Sequence, residues 1–92
     1  MVKNNWHITF SKKATRDFDK LDKHIQEKIN KFLLELREKY ANPRKVGKPL
    51  KGDLGDFWRY RIGDYRVITS IQDTVMTVLI IKICNRKDVY HS

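Results

Sequence analysis

A single cysteine, Cys84, among 92 residues excludes an intrachain disulfide and any thiolate-clustered metal site. Free cysteines are usually buried, so Cys84 reads as a small buried hydrophobe at the end of a strand. Histidine is scarce as well, and His7, His24 and His91 are too scattered to spell a zinc site. The sequence has no glycine-rich phosphate loop, and neither a metal nor a nucleotide cofactor is expected. Long apolar runs are missing too. Val78 to Ile81 is stopped by Lys82, far short of the roughly 20 residues a membrane helix needs. The amino terminus, Met-Val-Lys-Asn-Asn-Trp, lacks the apolar core of a secretory signal. A cytoplasmic protein with no membrane partner is therefore expected. Acid is also in short supply: 11 Asp and Glu stand against 20 Lys and Arg, a formal charge of +9. That balance favours a polyanionic partner such as RNA, DNA or an acidic protein. A chain of 92 residues makes one domain, residues 1–92, with no room for a second core.

What is present falls into one order of elements. Residues 6–10 alternate, with Trp6, Ile8 and Phe10 on one face and His7 and Thr9 on the other, as a half-buried strand requires. Ser11 is a candidate N-cap for a short helix striped by Ala14, Phe18 and Leu21. Asp22 can cap a second helix that carries Ile25, Ile29, Phe32, Leu33, Leu36 and Tyr40 on one side. On its other side Glu27 with Lys31 and Glu35 with Lys39 form favourably ordered pairs, and His24 is exposed. Asn42-Pro43 ends this helix, because the residue before a proline is pushed out of the helical region. An irregular connection follows, with Lys39, Arg44, Lys45, Lys48 and Lys51 and no acid from 39 to 51. As a set these cations read as a rim that tracks a phosphate backbone. Two further strands run from Tyr65 to Gln72 and from Val75 to Cys84. The second shows little alternation, as expected of a strand covered on both faces at the centre of a sheet. The pattern predicts an α+β domain of order β-α-α-β-β-β, with a helical hairpin on one face of a small, mainly antiparallel sheet. The other face is left for a ligand.

The segment Phe57 to Arg66, Phe-Trp-Arg-Tyr-Arg-Ile-Gly-Asp-Tyr-Arg, is the most informative. If Gly63-Asp64 is a two-residue hairpin loop, Ile62 pairs with Tyr65, Arg61 lies opposite Arg66, and Tyr60 opposes Val67. Alternation then puts Arg59 beside the arginine pair. Like charges directly across a strand pair cost about 0.2–1 kcal/mol, so the arrangement favours an anion, most simply a phosphate. Phe57, Trp58, Tyr60 and Tyr65 add the aromatic company that suits nucleic acid, where bases stack and phosphates pair.

The same residues carry a resemblance. The first strand Trp-His-Ile-Thr-Phe-Ser, the helical hairpin, Pro49-Leu50-Lys51-Gly52, the run Trp58 to Ile68, and the ending Asn85-Arg86-Lys87-Asp88-Val89-Tyr90 together resemble the RelE/ParE toxin superfamily. They look most like its RelE branch, whose members cut messenger RNA in the ribosomal decoding site and are held inactive by an antitoxin. The resemblance implies a ribosome-dependent, metal-independent endoribonuclease. In it Arg66 stabilises the scissile phosphate, Arg86 faces the leaving group and Tyr90 stacks on a base. Arg59 and Arg61 fall where RelE has lysines, and Lys51 matches a loop lysine of YoeB-like members. Arginine is a poor proton acceptor, so the general base is left open between Lys51 and His91. Lys45, Lys48, Lys51 and Lys87 are the RNA-binding candidates. The implied partners are a RelB-like or other antitoxin, the ribosome and mRNA. The alternative is a ParE-like inhibitor of DNA gyrase without nuclease activity.

Overall fold

The computed structural model describes residues 6–50 and 57–85. Strand β1 spans His7–Phe10, helix α1 Lys12–Asp19 and helix α2 Lys23–Lys39. A 3-10 turn at Pro43–Lys45 leads into β2, Lys48–Pro49. Strands β3, Phe57–Ile62, and β4, Tyr65–Gln72, form the arginine hairpin, and β5 runs Thr77–Asn85 after a 3-10 turn at Asp73–Val75. The sheet order is β1-β5-β4-β3-β2. Only the β1–β5 pair is parallel, and the other three pairs are antiparallel.

Alternation in the strands sends one set of side chains toward the helices. Tyr60, Val67, Ile80 and Ile83 meet Ala14, Ile29, Leu33 and Leu36 in the main core. Phe32 packs its ring 5.3 Å from that of Tyr60. A second cluster of Trp6, Ile71 and Val78 extends the core past the end of α2, where the Trp6 indole donates to the Ala41 carbonyl at 2.9 Å. Ser11 caps α1 as its position suggests, accepting from the Ala14 amide at 3.0 Å. Asp22 stands at the N-cap of α2 but makes no side-chain cap bond. The neighbouring Gln26 side chain donates instead to the Phe18 carbonyl at 2.8 Å and joins the two helices. Glu35 and Lys39 pair at 2.9 Å, whereas Glu27 and Lys31 are not among the ion pairs of the described residues.

Three expectations are corrected. The last strand is interior but not central: β4 occupies the middle and β5 lies between it and β1. The missing alternation of Ile80-Ile81-Lys82-Ile83 has a different cause, a bulge. Thr69 pairs with Ile80 while the adjacent Ile68 pairs with Lys82, so Ile81 is the inserted residue. Without the bulge, Lys82 would share the face of Val78 and Ile80 and enter the core; with it, Ile83 takes that place and is 5% exposed. Helix α1 completes the bulge, because Ser11 donates to the Ile81 carbonyl at 2.8 Å and Asp17 accepts from the Ile83 amide at 3.0 Å. Finally, the basic connection is not wholly irregular, since β2 pairs Lys48 with Arg59 and Pro49 with Trp58.

Candidate nucleic-acid interface

The hairpin forms in the register its sequence dictates. Ile62 faces Tyr65, Arg61 faces Arg66, Tyr60 faces Val67 and Arg59 faces Ile68. Gly63 has φ 60° and Asp64 does not have positive φ, the pattern of a type II′ turn, whose twist matches that of the flanking strands. Paired residues share a face. Arg59, Arg61 and Arg66 therefore lie together on the side away from the helices, opposite the side that holds Tyr60 and Val67. The row through Arg59 continues outward to Lys48 on β2 and inward through Ile68 to Lys82 on β5. Five cations thus occupy two adjacent rows of one sheet face.

Lys82 was not recognised from the sequence. Strict alternation puts it in the core, and only the bulge turns it to the arginine side; the signal was the unbroken Val78 to Ile81 run ending in a lysine. Lys82 also borders a second cleft, where α1 contributes Lys13, Asp17 and Lys20 against the outer half of β5. Cys84 stands opposite Arg66 in the register and is half-buried rather than buried. It lies on the face away from the described helices. His7 and His24 are exposed as expected. Lys45 is exposed within the 3-10 turn and lies before the strand that carries Lys48. Lys51, Arg86, Lys87, Tyr90 and His91 lie outside the described residues.

The segment that carries Lys48 is held firmly to the edge of β3. Tyr60 is 1% exposed and its hydroxyl donates to the Pro43 carbonyl at 2.7 Å. The Trp58 indole donates to the Val46 carbonyl at 2.7 Å. Burial raises the Tyr60 pKa well above that of a free phenol, although nearby Arg44 opposes the shift. Arg44 grips Asp73 through both guanidinium nitrogens, at 2.8 and 2.9 Å, and so ties the 3-10 turn to the β4–β5 connection. This bidentate bond lowers the Asp73 pKa and raises that of Arg44. Gly47, at φ 81°, lets the two backbones touch: a Cβ there would sit 2.5 Å from the Arg59 carbonyl oxygen. Below the clamp, a cleft of about 290 Å³ is lined by Phe32, Val46, Gly47, Lys48, Arg59, Tyr60, Arg61 and Arg66. Among the described residues no group of three or more His, Cys, Asp or Glu side chains could hold a metal ion. No helix among them is long and apolar enough to cross a membrane.

A two-helix layer on a five-stranded sheet, with cations gathered on the face away from the described helices, defines a small basic α+β protein. Comparison with known proteins gives the class a family. Residues 8–90 match the family described as the ParE toxin of type II toxin-antitoxin systems, and the chain belongs to that family, within the RelE/ParE superfamily. It is 32% identical over 83 residues to Toxin RelG of Mycobacterium tuberculosis, covering 90% of this chain and 93% of that one. It is 34% identical over 85 residues to Toxin RelE of the same organism, covering 92% and 86%. Its fold superposes on a chain of the RelBE2 toxin-antitoxin complex of M. tuberculosis with a TM-score of 0.78 and 32% identity, over 88% of this chain and 98% of the other. The protein is thus a toxin of the type II class with relatives among RelE-type toxins.

Proposed function

We propose that this toxin is a ribosome-dependent mRNA endonuclease, restrained by a protein antitoxin of the RelB or another kind. The observation that carries the reading is the Arg61–Arg66 pair, two like charges placed directly opposite each other on the face away from the described helices. Two guanidinium groups set side by side gather positive charge where a phosphate can bind. Arg59 and Lys48 stand in the neighbouring row, and the matched relatives are named RelE and RelG toxins. The structure of one relative is a toxin-antitoxin complex, which supports an antitoxin partner here. An action on ribosomes would place the protein in the cytoplasm.

The reaction requires no nucleophile from the protein. The ribose 2′-oxygen attacks the adjacent phosphorus, its proton passes to a base, and the bond to the 5′-oxygen breaks. That oxygen takes up a proton, leaving a 2′,3′-cyclic phosphate and a 5′-hydroxyl. Arg61 and Arg66 would neutralise the charge that grows on the phosphate oxygens, with Arg59 assisting, an effect of preorganised cations. Arg86 would face the leaving oxygen and Tyr90 would hold a base so that the 2′-oxygen stands in line. Lys51 and His91 are the candidate bases. Lys45, Lys48, Lys51 and Lys87 would track the backbone.

Primer extension on programmed ribosomes, with wild type and Arg66→Ala, tests the reading. Cuts confined to the decoding site, absent from naked RNA and lowered about 10²–10³-fold in single-turnover rate by the substitution, are expected. Ribosome binding should change far less than the rate, because the phosphate oxygens carry more charge in the transition state than in the ground state and the arginine gains most there. Failure of the folded protein to cut, together with gyrase-dependent DNA breaks, would replace this reading with inhibition of DNA gyrase.

A further inference from the structure

Among the described residues, the edge of β3 is only half covered. In a two-residue hairpin the residues flanking the loop exchange backbone bonds, so Ile62, Tyr60 and Trp58 bond toward β4 while Phe57, Arg59 and Arg61 point their N–H and C=O groups outward. The Leu50 amide accordingly donates to the outward Phe57 carbonyl at 3.0 Å, and Lys48 is the register partner of Arg59. β2 begins at Lys48, and Gly47, at φ 81°, turns the chain away. Among the described residues, no strand therefore reaches Arg61. Its N–H donor and C=O acceptor face the cleft of about 290 Å³, whose apolar wall is Phe32 and Val46 from the helix side and whose rim is Lys48, Arg61 and Arg66. Such a volume lies at the lower end of small-molecule sites. It holds a single nucleotide unit rather than a larger ligand.

We propose that this cleft is a nucleobase subsite. The base edge bonds to the backbone donor and acceptor of Arg61, its flat face lies against Phe32 and Val46, and its phosphate rests on the arginine pair. The inference rests on the RNA-cleaving reading above and deepens it by assigning where one base of the substrate sits. Phe32 and Val46 pack against the core and are only partly buried, so the part that lines the cleft gives the arginine pair an apolar neighbour that a base can use and a phosphate alone cannot. A backbone pair can serve any base that offers an adjacent acceptor and donor on one edge, so the subsite orients a base rather than demanding a single identity.

Amide and aromatic NMR shifts of the intact protein, titrated separately with adenosine 5′-monophosphate, ribose 5-phosphate and inorganic phosphate, test the subsite. All three ligands should perturb the arginine side chains, but only the nucleotide should move the Arg61 and Gly47 amides and the Phe32 ring. Adenosine monophosphate should bind at least about tenfold more tightly than ribose 5-phosphate, the size expected for contact of one base with an aromatic wall. Phe32→Leu, which keeps the core filled, should shrink that preference while leaving ribose 5-phosphate affinity unchanged. Identical shifts and affinities for nucleotide and sugar phosphate would overturn the subsite, as would nucleotide preference that survives Phe32→Leu intact. The nuclease reading is scored separately by ribosomal cleavage. Cleavage by wild type without base-dependent shifts removes the subsite and leaves the nuclease, while base-dependent shifts without cleavage keep the subsite and remove the nuclease.

Discussion

At the scale of single residues the protein carries one arrangement that works against its own fold and one that works for it. Arg61 opposite Arg66 is repulsive, so Arg61→Thr, which also supplies a β-branched strand residue, should raise stability by about 0.2–1 kcal/mol. Phosphate should stabilise wild type more than the variant, because a ligand that binds only the folded state adds to its stability. Urea melts with and without phosphate check both; a variant less stable than wild type in phosphate-free buffer would mean that the pair is not repulsive. Tyr60 is the opposite case, a buried phenol that donates to Pro43. Tyr60→Phe leaves the Pro43 carbonyl without that donor and should cost about 1–2 kcal/mol. Because burial raises the Tyr60 pKa in the folded state, the unfolded chain loses the phenolic proton first, near its ordinary value of about 10. The unfolded state then binds fewer protons, so stability falls as pH rises above that value toward the folded pKa. Lysines titrate in the same range, and the diagnostic quantity is therefore the difference between wild type and Tyr60→Phe. That difference should be constant from pH 7 to 9 and shrink at pH 11; a pH-independent difference would refute the assignment.

At the scale of elements, what the sequence made legible depended on whether an element's cause was local. The hairpin register follows from Gly63-Asp64 and the alternation on either side, and it formed as those residues predict. The helices follow from Ser11 and from apolar stripes of helical period, and both packed as expected. The bulge in β5 and the two-residue β2 have distant causes. The bulge needs Asp17 and Ser11, which come from α1 more than sixty residues away in the chain, and β2 needs Gly47 to touch Arg59. Neither contact leaves a periodic trace. Both can be tested by substitution. Gly47→Ala combines a strained positive φ, worth about 1–3 kcal/mol, with backbone contact that no side chain can yield. It should lower the melting temperature and loosen the Lys48 and Leu50 amides in hydrogen exchange, while β1 and β5 stay protected. Asp17→Ala leaves the Ile83 amide without its acceptor, at a cost of about 1–3 kcal/mol. Asp17→Asn retains a carbonyl oxygen there and should recover most of that loss. Equal destabilisation by the two would show that the carboxylate acts through its charge rather than as the acceptor of that bond.

For the whole molecule, the formal charge of +9 is divided between a focused face and a general field, and the two have different salt signatures. Cations that touch phosphates release counterions, and single-stranded nucleic acid shows a log affinity that falls with log salt by about 0.7 per neutralised phosphate. A field spread over the surface steers association but is screened beyond about 8–10 Å at ordinary ionic strength. Lys48, Arg59, Arg61 and Arg66 share one face, whereas Lys28 is exposed on α2, the helix layer on the other side of the sheet. Removal of any one of the four by alanine should reduce the salt slope for a short, non-cleavable single-stranded RNA by about 0.7. Lys28→Ala, which removes the same unit of net charge, should lower affinity slightly at low salt and leave the slope unchanged. Equal losses of slope at Lys28 and Arg59 would mean that the molecule attracts RNA by total charge alone. A slope that responds only on the arginine face means that the sheet concentrates its cations where the phosphate must be held, and that the helix layer supplies the core that makes such a face possible.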